Sequence, residues 1–151
     1  MVRSLEGKHG EYYEAILQLR EVEEKVVTFT DQEIRRIKLP VTKVMPVRNG
    51  WDYYLADNEL TRSLGKTLQQ KFGGKLAVTA SLFGKKDGKD IYRVTVLFRG
   101  LKFSRGQEVI YHGEKCTVKA LAKDILLLSS KSGKKIHVRY EYMKDIKVVE
   151  E

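Results

Sequence analysis

Leu60, Leu64, Leu68 and Phe72 recur at four-residue spacing and stop at Gly73-Gly74. That spacing draws one apolar stripe along a helix, and a striped helix must lie on something. Asp57 or Asn58 is a candidate N-cap, because a short side-chain oxygen can accept an orphan amide proton of the first turn. The glycine pair ends the helix by accepting backbone angles that other residues resist. Arg62 and Lys66 lie one turn apart, off the stripe, and should face water. Two alternating runs follow, residues 76–83 and 91–98, joined by Gly84-Lys85-Lys86-Asp87-Gly88-Lys89. Asp-Gly between such runs predicts a hairpin. Tyr92, Val94, Val96 and Phe98 should be its buried face, with Ile91, Arg93, Thr95 and Leu97 turned the other way.

Upstream, Tyr13, Ala15, Leu17 and Leu19 alternate with polar or larger neighbours within EYYEAILQLR. This reads as a half-buried strand with the first set inward. Residues 21–25 are charged and read as a turn or strand end. Residues 28–39 are ambiguous. Thr30 with Glu33 resembles a capping box, and Ile34 with Ile37 gives one face of a short helix over 31–37, stopped by Pro40. Extended structure through Val26-Val27 is the alternative. Residues 41–47 are β-branched and interrupted by Pro46, which fits an edge strand or a bend. Asn49-Gly50 signals a turn, and Trp51 to Leu55 resumes as a strand.

The order strand, short helix, strand, helix, strand, strand describes an α+β unit: a mostly antiparallel sheet with one or two helices on one face, an OB-like or ferredoxin-like sandwich over residues 1–100. After Leu101 the helical period disappears. Short runs at 108–111, 115–120, 125–129, 135–140 and 146–149 alternate with turns at His112-Gly113 and Lys131-Ser132-Gly133-Lys134. Five short strands predict a small SH3-like barrel over residues 101–151, in which a tight turn replaces any covering helix.

The chain carries 29 Lys and Arg against 20 Asp and Glu, a net charge of +9 and a pI near 9.6. Residues 1–100 hold +5 and residues 101–151 hold +4, so the charge belongs to both halves and to no terminal tail. Such a balance attracts phosphate backbones; a Lys- and Glu-rich surface serving solubility is the competing reading. One cysteine, Cys116, excludes an internal disulfide and a four-thiolate zinc site. A cytoplasmic setting is expected, without membrane association.

Signals for catalysis are weak. His9, His112 and His137 are scattered without metal-ligand spacing. Cys116 falls inside an expected strand, where a small buried side chain is the simpler reading than a nucleophile. No Walker-type loop is present, and no cofactor, metal or small-molecule substrate is expected. Tyr12, Trp51, Tyr53 and Tyr54 could stack on unpaired bases or form a core and its rim; Tyr140 and Tyr142 carry the same ambiguity. Lys85, Lys86 and Lys89 on one turn, Lys131, Lys134 and Lys135 on another, and Arg62 and Lys66 on the helix are the expected RNA contacts.

In this order, EYYEAILQLR, WDYYLADNELTRSLGKTLQQKFGGKL and KKDGKDIYRVTVLFRG resemble the large-ribosomal-subunit nuclear export adaptor family, and its archaeal members in particular. The resemblance spans about residues 8–100 and continues more weakly into the tail, where Gly106-Gln107-Glu108-Val109 opens the barrel. It implies a non-enzymatic protein that binds the large ribosomal subunit, its rRNA or ribosomal proteins, with modules similar to the translation factor initiation factor five A. Archaea have no nucleus, so the resemblance there implies assembly, quality control or subunit stabilisation. The family carries Cys-x-x-Cys zinc modules ahead of the first strand, which the lone Cys116 cannot supply; a fragment and a short relative are both expected readings. Two other classes compete: a protein-interaction module that captures a peptide or ribosomal protein without touching RNA, and an enzyme acting on an anionic small molecule.

Overall fold

The computed structural model describes residues 12–149. His9 lies outside that range. The elements run β1 (Ala15–Arg20), α1 (Glu24–Arg36), β2 (Val41–Val47), β3 (Gly50–Leu55), α2 (Asn58–Phe72), β4 (Lys75–Lys86) and β5 (Lys89–Arg99). They continue through β6 (Glu108–Tyr111), β7 (Glu114–Leu121), β8 (Ile125–Ser129), β9 (Lys135–Val138), a 3₁₀ helix (Tyr140–Asp145) and β10 (Ile146–Val148). Two five-stranded sheets result, ordered β2-β3-β1-β5-β4 and β10-β6-β7-β8-β9. The molecule is therefore α+β.

The first sheet is antiparallel except where β1 runs parallel to β5, with Leu17 beside Val96 and Leu19 beside Phe98. Both helices pack on one side of it. Ala15, Leu17, Leu19, Tyr53, Leu55, Val94, Val96 and Phe98 from the sheet close one core with Val26, Val27, Ile34, Leu64 and Leu68 from the helices. The α2 reading holds in detail. Asp57 is the cap, its carboxylate accepting the Leu60 amide at 2.8 Å, and Gly73 ends the helix at φ 72°. Pro46 sits on an edge strand, where its missing N–H removes no ladder bond.

Several expectations are corrected. The first helix runs from Glu24 and is nearly twice as long as read, because Thr30 is not a cap. Its hydroxyl donates to the Val26 carbonyl at 2.8 Å inside the helix, while the true N-cap, Glu23, makes no side-chain cap bond. Val41–Val47 and Gly50–Leu55 are two strands of a hairpin, so the first unit has one strand more than the order read from the sequence. Tyr92 shares a strand face with Val94 but is 47% exposed, because β4 and β5 extend past the helices that shelter Val94 and Val96. Tyr13 is not inward: the chain bends at Glu14, and the ring lies over Arg93 on the opposite side.

The second sheet has its own core of Val109, Cys116, Val118, Ile125, Leu127, Val138 and Ile146, capped by Phe103, Tyr140 and Met143. It is not a closed barrel. β9 and β10 are its two outer strands, and no pairing joins them. They have only four and three residues, and the stretch between them is a 3₁₀ helix rather than a tight turn. Tyr140 and Met143 from that helix fill the space that a closing ladder would take.

Candidate functional site

The hairpin tip is a two-residue turn. Asp87 at φ 52° and Gly88 at φ 80° give the twist that joins antiparallel strands tightly. Lys85 and Lys89 are exposed beside it; Lys85 Nζ stands 4.0 Å from the Asp90 carboxylate, and Lys86 closes β4. On the second sheet Lys131, Lys134 and Lys135 are exposed around the β8–β9 turn, and Arg62 and Lys66 are exposed on the outer side of α2. Among the described residues none of these last five, nor Lys89, has a carboxylate within ion-pair reach.

The structure does not gather these groups. β5 runs eleven residues from the tip at Lys89 to the start of the second unit after Arg99. At about 3.3 Å per residue that places roughly 35 Å between the tip and the junction. Arg62 and Lys66 lie on the helical side of the first sheet, apart from both. The two lysine turns are separate points of contact, and no single phosphate can meet both.

A basic site that the sequence reading missed lies at the junction itself. A groove of about 820 Å³ runs between the first sheet and the 3₁₀ helix with β10. Lys75, Arg99, Lys102, Lys144 and Lys147 line it, against two acids, Glu21 and Glu141. Glu21 is already engaged, by Arg99 Nη1 and Lys102 Nζ at 3.3 Å each, and Glu141 meets Arg139 at 3.4 Å. Lys75, Lys144 and Lys147 keep uncompensated charge among the described residues. A smaller cleft shares Lys75 and Glu141 with the groove and adds Lys123 and Arg139, which extends the positive strip along the junction. The signal in the sequence was only that each half carries excess charge. Convergence needs the register that sets Lys75 beside Arg99 and the 3₁₀ helix that presents Lys144.

Among the described residues the histidines each meet a single carboxylate. His137 Nδ1 lies 3.1 Å from Asp124, and His112 Nε2 lies 3.8 Å from Asp145; both are exposed pairs on the second sheet. Tyr12 donates to the Glu14 carboxylate, and that bond, with burial behind it, pushes the phenol up to about 12. Burial, seconded by the Glu114 charge, pushes the Cys116 thiol up, away from the thiolate a nucleophile needs. Among the described residues no group of three or more His, Cys, Asp or Glu could hold a metal ion, and no helix is long and apolar enough to cross a membrane. Of the aromatics read as stacking candidates, Tyr53 is fully buried and Trp51 packs on the core, whereas Tyr12 and Tyr54 stay partly open. Tyr140 is buried, donating to the Ala122 carbonyl at 2.7 Å, and Tyr142 is exposed.

Comparison with known proteins bears on the first sheet above all. No curated protein matches the chain. Among solved structures, "Crystal Structure of MjSpt4:Spt5 complex conformation A" is similar at 12% identity, covering 90% of this chain and 96% of that one, with a TM-score of 0.29. The sequence model of the family "NMD3, second domain" matches residues 12–99, which is β1 through β5 with both helices and more than half of the chain. The chain belongs to the NMD3 family.

Proposed function

We propose that this protein binds the large ribosomal subunit through its rRNA, without catalysing a reaction, in late subunit maturation, quality control or translation. The observation that carries this reading is the junction groove, where Arg99 and Lys102 hold Glu21, Arg139 holds Glu141, and Lys75, Lys144 and Lys147 are left with uncompensated charge among the described residues. A groove of that charge and size accepts a phosphate backbone, and neutralising phosphates with Lys and Arg releases counterions, which makes binding steeply dependent on salt. The exposed lysines of the two turns would add contacts further along the same polyanion. Family membership supports the ribosomal partner, as the sequence resemblance implied.

The test is co-sedimentation of the full chain with purified large subunits across about 50–200 mM salt. Affinity should fall steeply with salt, and Lys144→Gln with Lys147→Gln should weaken binding and flatten the dependence by about 0.7–0.9 per lost contact in log–log slope. Binding that ignores salt, or survives those changes intact, rejects the proposal.

A second reading rests on β4. It is an edge strand of twelve residues whose Val78, Leu82 and Phe83 are exposed, and an open edge with apolar side chains can add a strand from a ribosomal protein or peptide. Subunit capture unaffected by charge neutralisation but lost on blocking β4 would favour it.

A further inference from the structure

Both helices cover one side of the first sheet, and among the described residues no helix covers the other. Towards the hairpin end, that open side carries a file of rings and cations, one at each strand position across the sheet. From edge to edge they are Lys43 on β2, Tyr54 on β3, Tyr13 in the lead-in to β1, Arg93 on β5 and Phe83 on β4. Each touches the next. Lys43 Nζ lies 4.5 Å from the Tyr54 ring centre, and Tyr54 meets Tyr13 edge-on at 4.9 Å. The Arg93 guanidinium sits between the last two rings, 3.9 Å from Tyr13 and 3.7 Å from Phe83. With strands about 4.8 Å apart the file crosses roughly 19 Å.

Alternation from Ser81, which pairs with Arg93, puts Phe83 on this side, and a fault in the ladder leaves it without a strand partner. Leu82 pairs with Tyr92 and Gly84 with Ile91, so Phe83 is the extra residue of a β-bulge. A bulged residue is left unpaired in the ladder, and here its phenyl ring is 49% exposed with Arg93 against it. Around it Lys85 and Arg93 face Glu14, which takes the Tyr12 hydroxyl, and Asp90, which is 4.0 Å from Lys85, while Lys43 stands at the far edge of the file. An apolar protein surface placed here would strip water from the Lys43 ammonium without giving it a partner, whereas Arg93 already donates its Nε to the Tyr13 carbonyl at 3.3 Å. A nucleic-acid strand offers π-faces to the rings and phosphates to the cations together.

We infer that the open face of the first sheet is a stacking platform for unpaired nucleotides, with Phe83 and Tyr54 taking bases and Lys43 and Lys85 the flanking phosphates. This rests on the RNA reading above and adds which form of RNA is held, and where. Lys43 is exposed on a flexible stem, so its ammonium can leave the Tyr54 ring for a phosphate as a base arrives.

The experiment is fluorescence anisotropy with a labelled single-stranded oligoribonucleotide and a duplex of the same sequence, titrated with the full chain at several salt concentrations. Wild type should prefer the single strand. Phe83→Leu with Tyr54→Leu keeps apolar bulk, removes the π-faces, and should cost about tenfold on the single strand, with an unchanged salt slope and no loss on the duplex. Phe83→Tyr with Tyr54→Phe should restore binding, which a merely structural role for these rings would not require. Thermal melts by circular dichroism confirm that each variant folds. The inference fails if the leucine pair binds the single strand as wild type does, or loses both RNAs equally. If both RNAs bind alike and only Lys144→Gln with Lys147→Gln weakens them, stacking falls and the RNA reading stands. If neither RNA binds while the chain still pellets with subunits, both fall in favour of a protein contact.

Discussion

Tyr53 and Asp31 meet at the centre of the first core, the phenol donating to Asp31 Oδ1 at 2.9 Å with both residues buried. A polar pair inside an apolar core is stabilising only while it is satisfied, since removing one partner leaves the other desolvated. Tyr53→Phe should therefore lower stability by about 1–3 kcal/mol, read from the urea midpoint at unchanged slope; an unshifted midpoint would show that this bond holds nothing. Cys116 makes the opposite case, a polar-capable residue used as a small apolar one. It is fully buried between Val109 and Ser129 in the ladders of the second sheet, and burial holds its thiol above the usual range. Less thiolate and no access mean slow alkylation. The native chain should resist a thiol reagent at pH 8 and react fully in denaturant, and equal rates in both states would contradict the placement.

At the scale of elements, α2 was legible because its signals are local. Asp57, the Leu60–Phe72 stripe and Gly73-Gly74 each act within a turn of the residue they fix. Asp57→Ala should cost about 1 kcal/mol by orphaning the Leu60 amide. The helix also sits close to the sheet at Gly65, where an added Cβ would lie 2.6 Å from Val96 Cγ1 and 3.0 Å from Leu76 Cδ1. Val96 is fully buried and stiff, so Gly65→Val should destabilise by about 1–3 kcal/mol, while Lys66→Ala on the outer face is near neutral; thermal melts of the two variants compare them directly. The first helix was poorly legible for the converse reason. Glu23 gives no cap signal, and Thr30, which looked like a cap, spends its hydroxyl on Val26 within the helix. The strands of the second sheet could be placed from their turns, but its failure to close could not. That depends on Tyr140 and Met143 entering the core from a 3₁₀ helix with no periodic signature. The parallel pairing of β1 with β5 joins Ala15 to Val94 across most of the first unit, and no local pattern encodes it. The surroundings of Phe83 were hidden in the same way: alternation gives its face, but nothing local signals the bulge that leaves it unpaired beside Arg93.

Across the whole molecule the basic residues fall into separated zones, and distance decides how they act. The hairpin tip lies roughly 35 Å from the junction groove along β5, several times the ~8 Å screening length at physiological salt. Charges that far apart do not feel each other through water, so they can cooperate only through one long ligand touching both. Their contributions to a long single strand should then add. Let Lys85→Gln, Lys86→Gln and Lys89→Gln be one set, and Lys144→Gln with Lys147→Gln the other. Each set should lower log K and flatten the salt dependence, by about 0.7 in slope per contact on single strands, and the combined variant should match the sum within about 0.5 kcal/mol. Anisotropy titrations of the four proteins against one long RNA measure all of these terms. A combined loss no greater than that of the groove set alone would mean that the tip meets only solvent. A loss much larger than the sum would mean that the two zones converge on one segment of ligand, which the length of β5 forbids unless the RNA bends back on itself or the hairpin folds towards the junction.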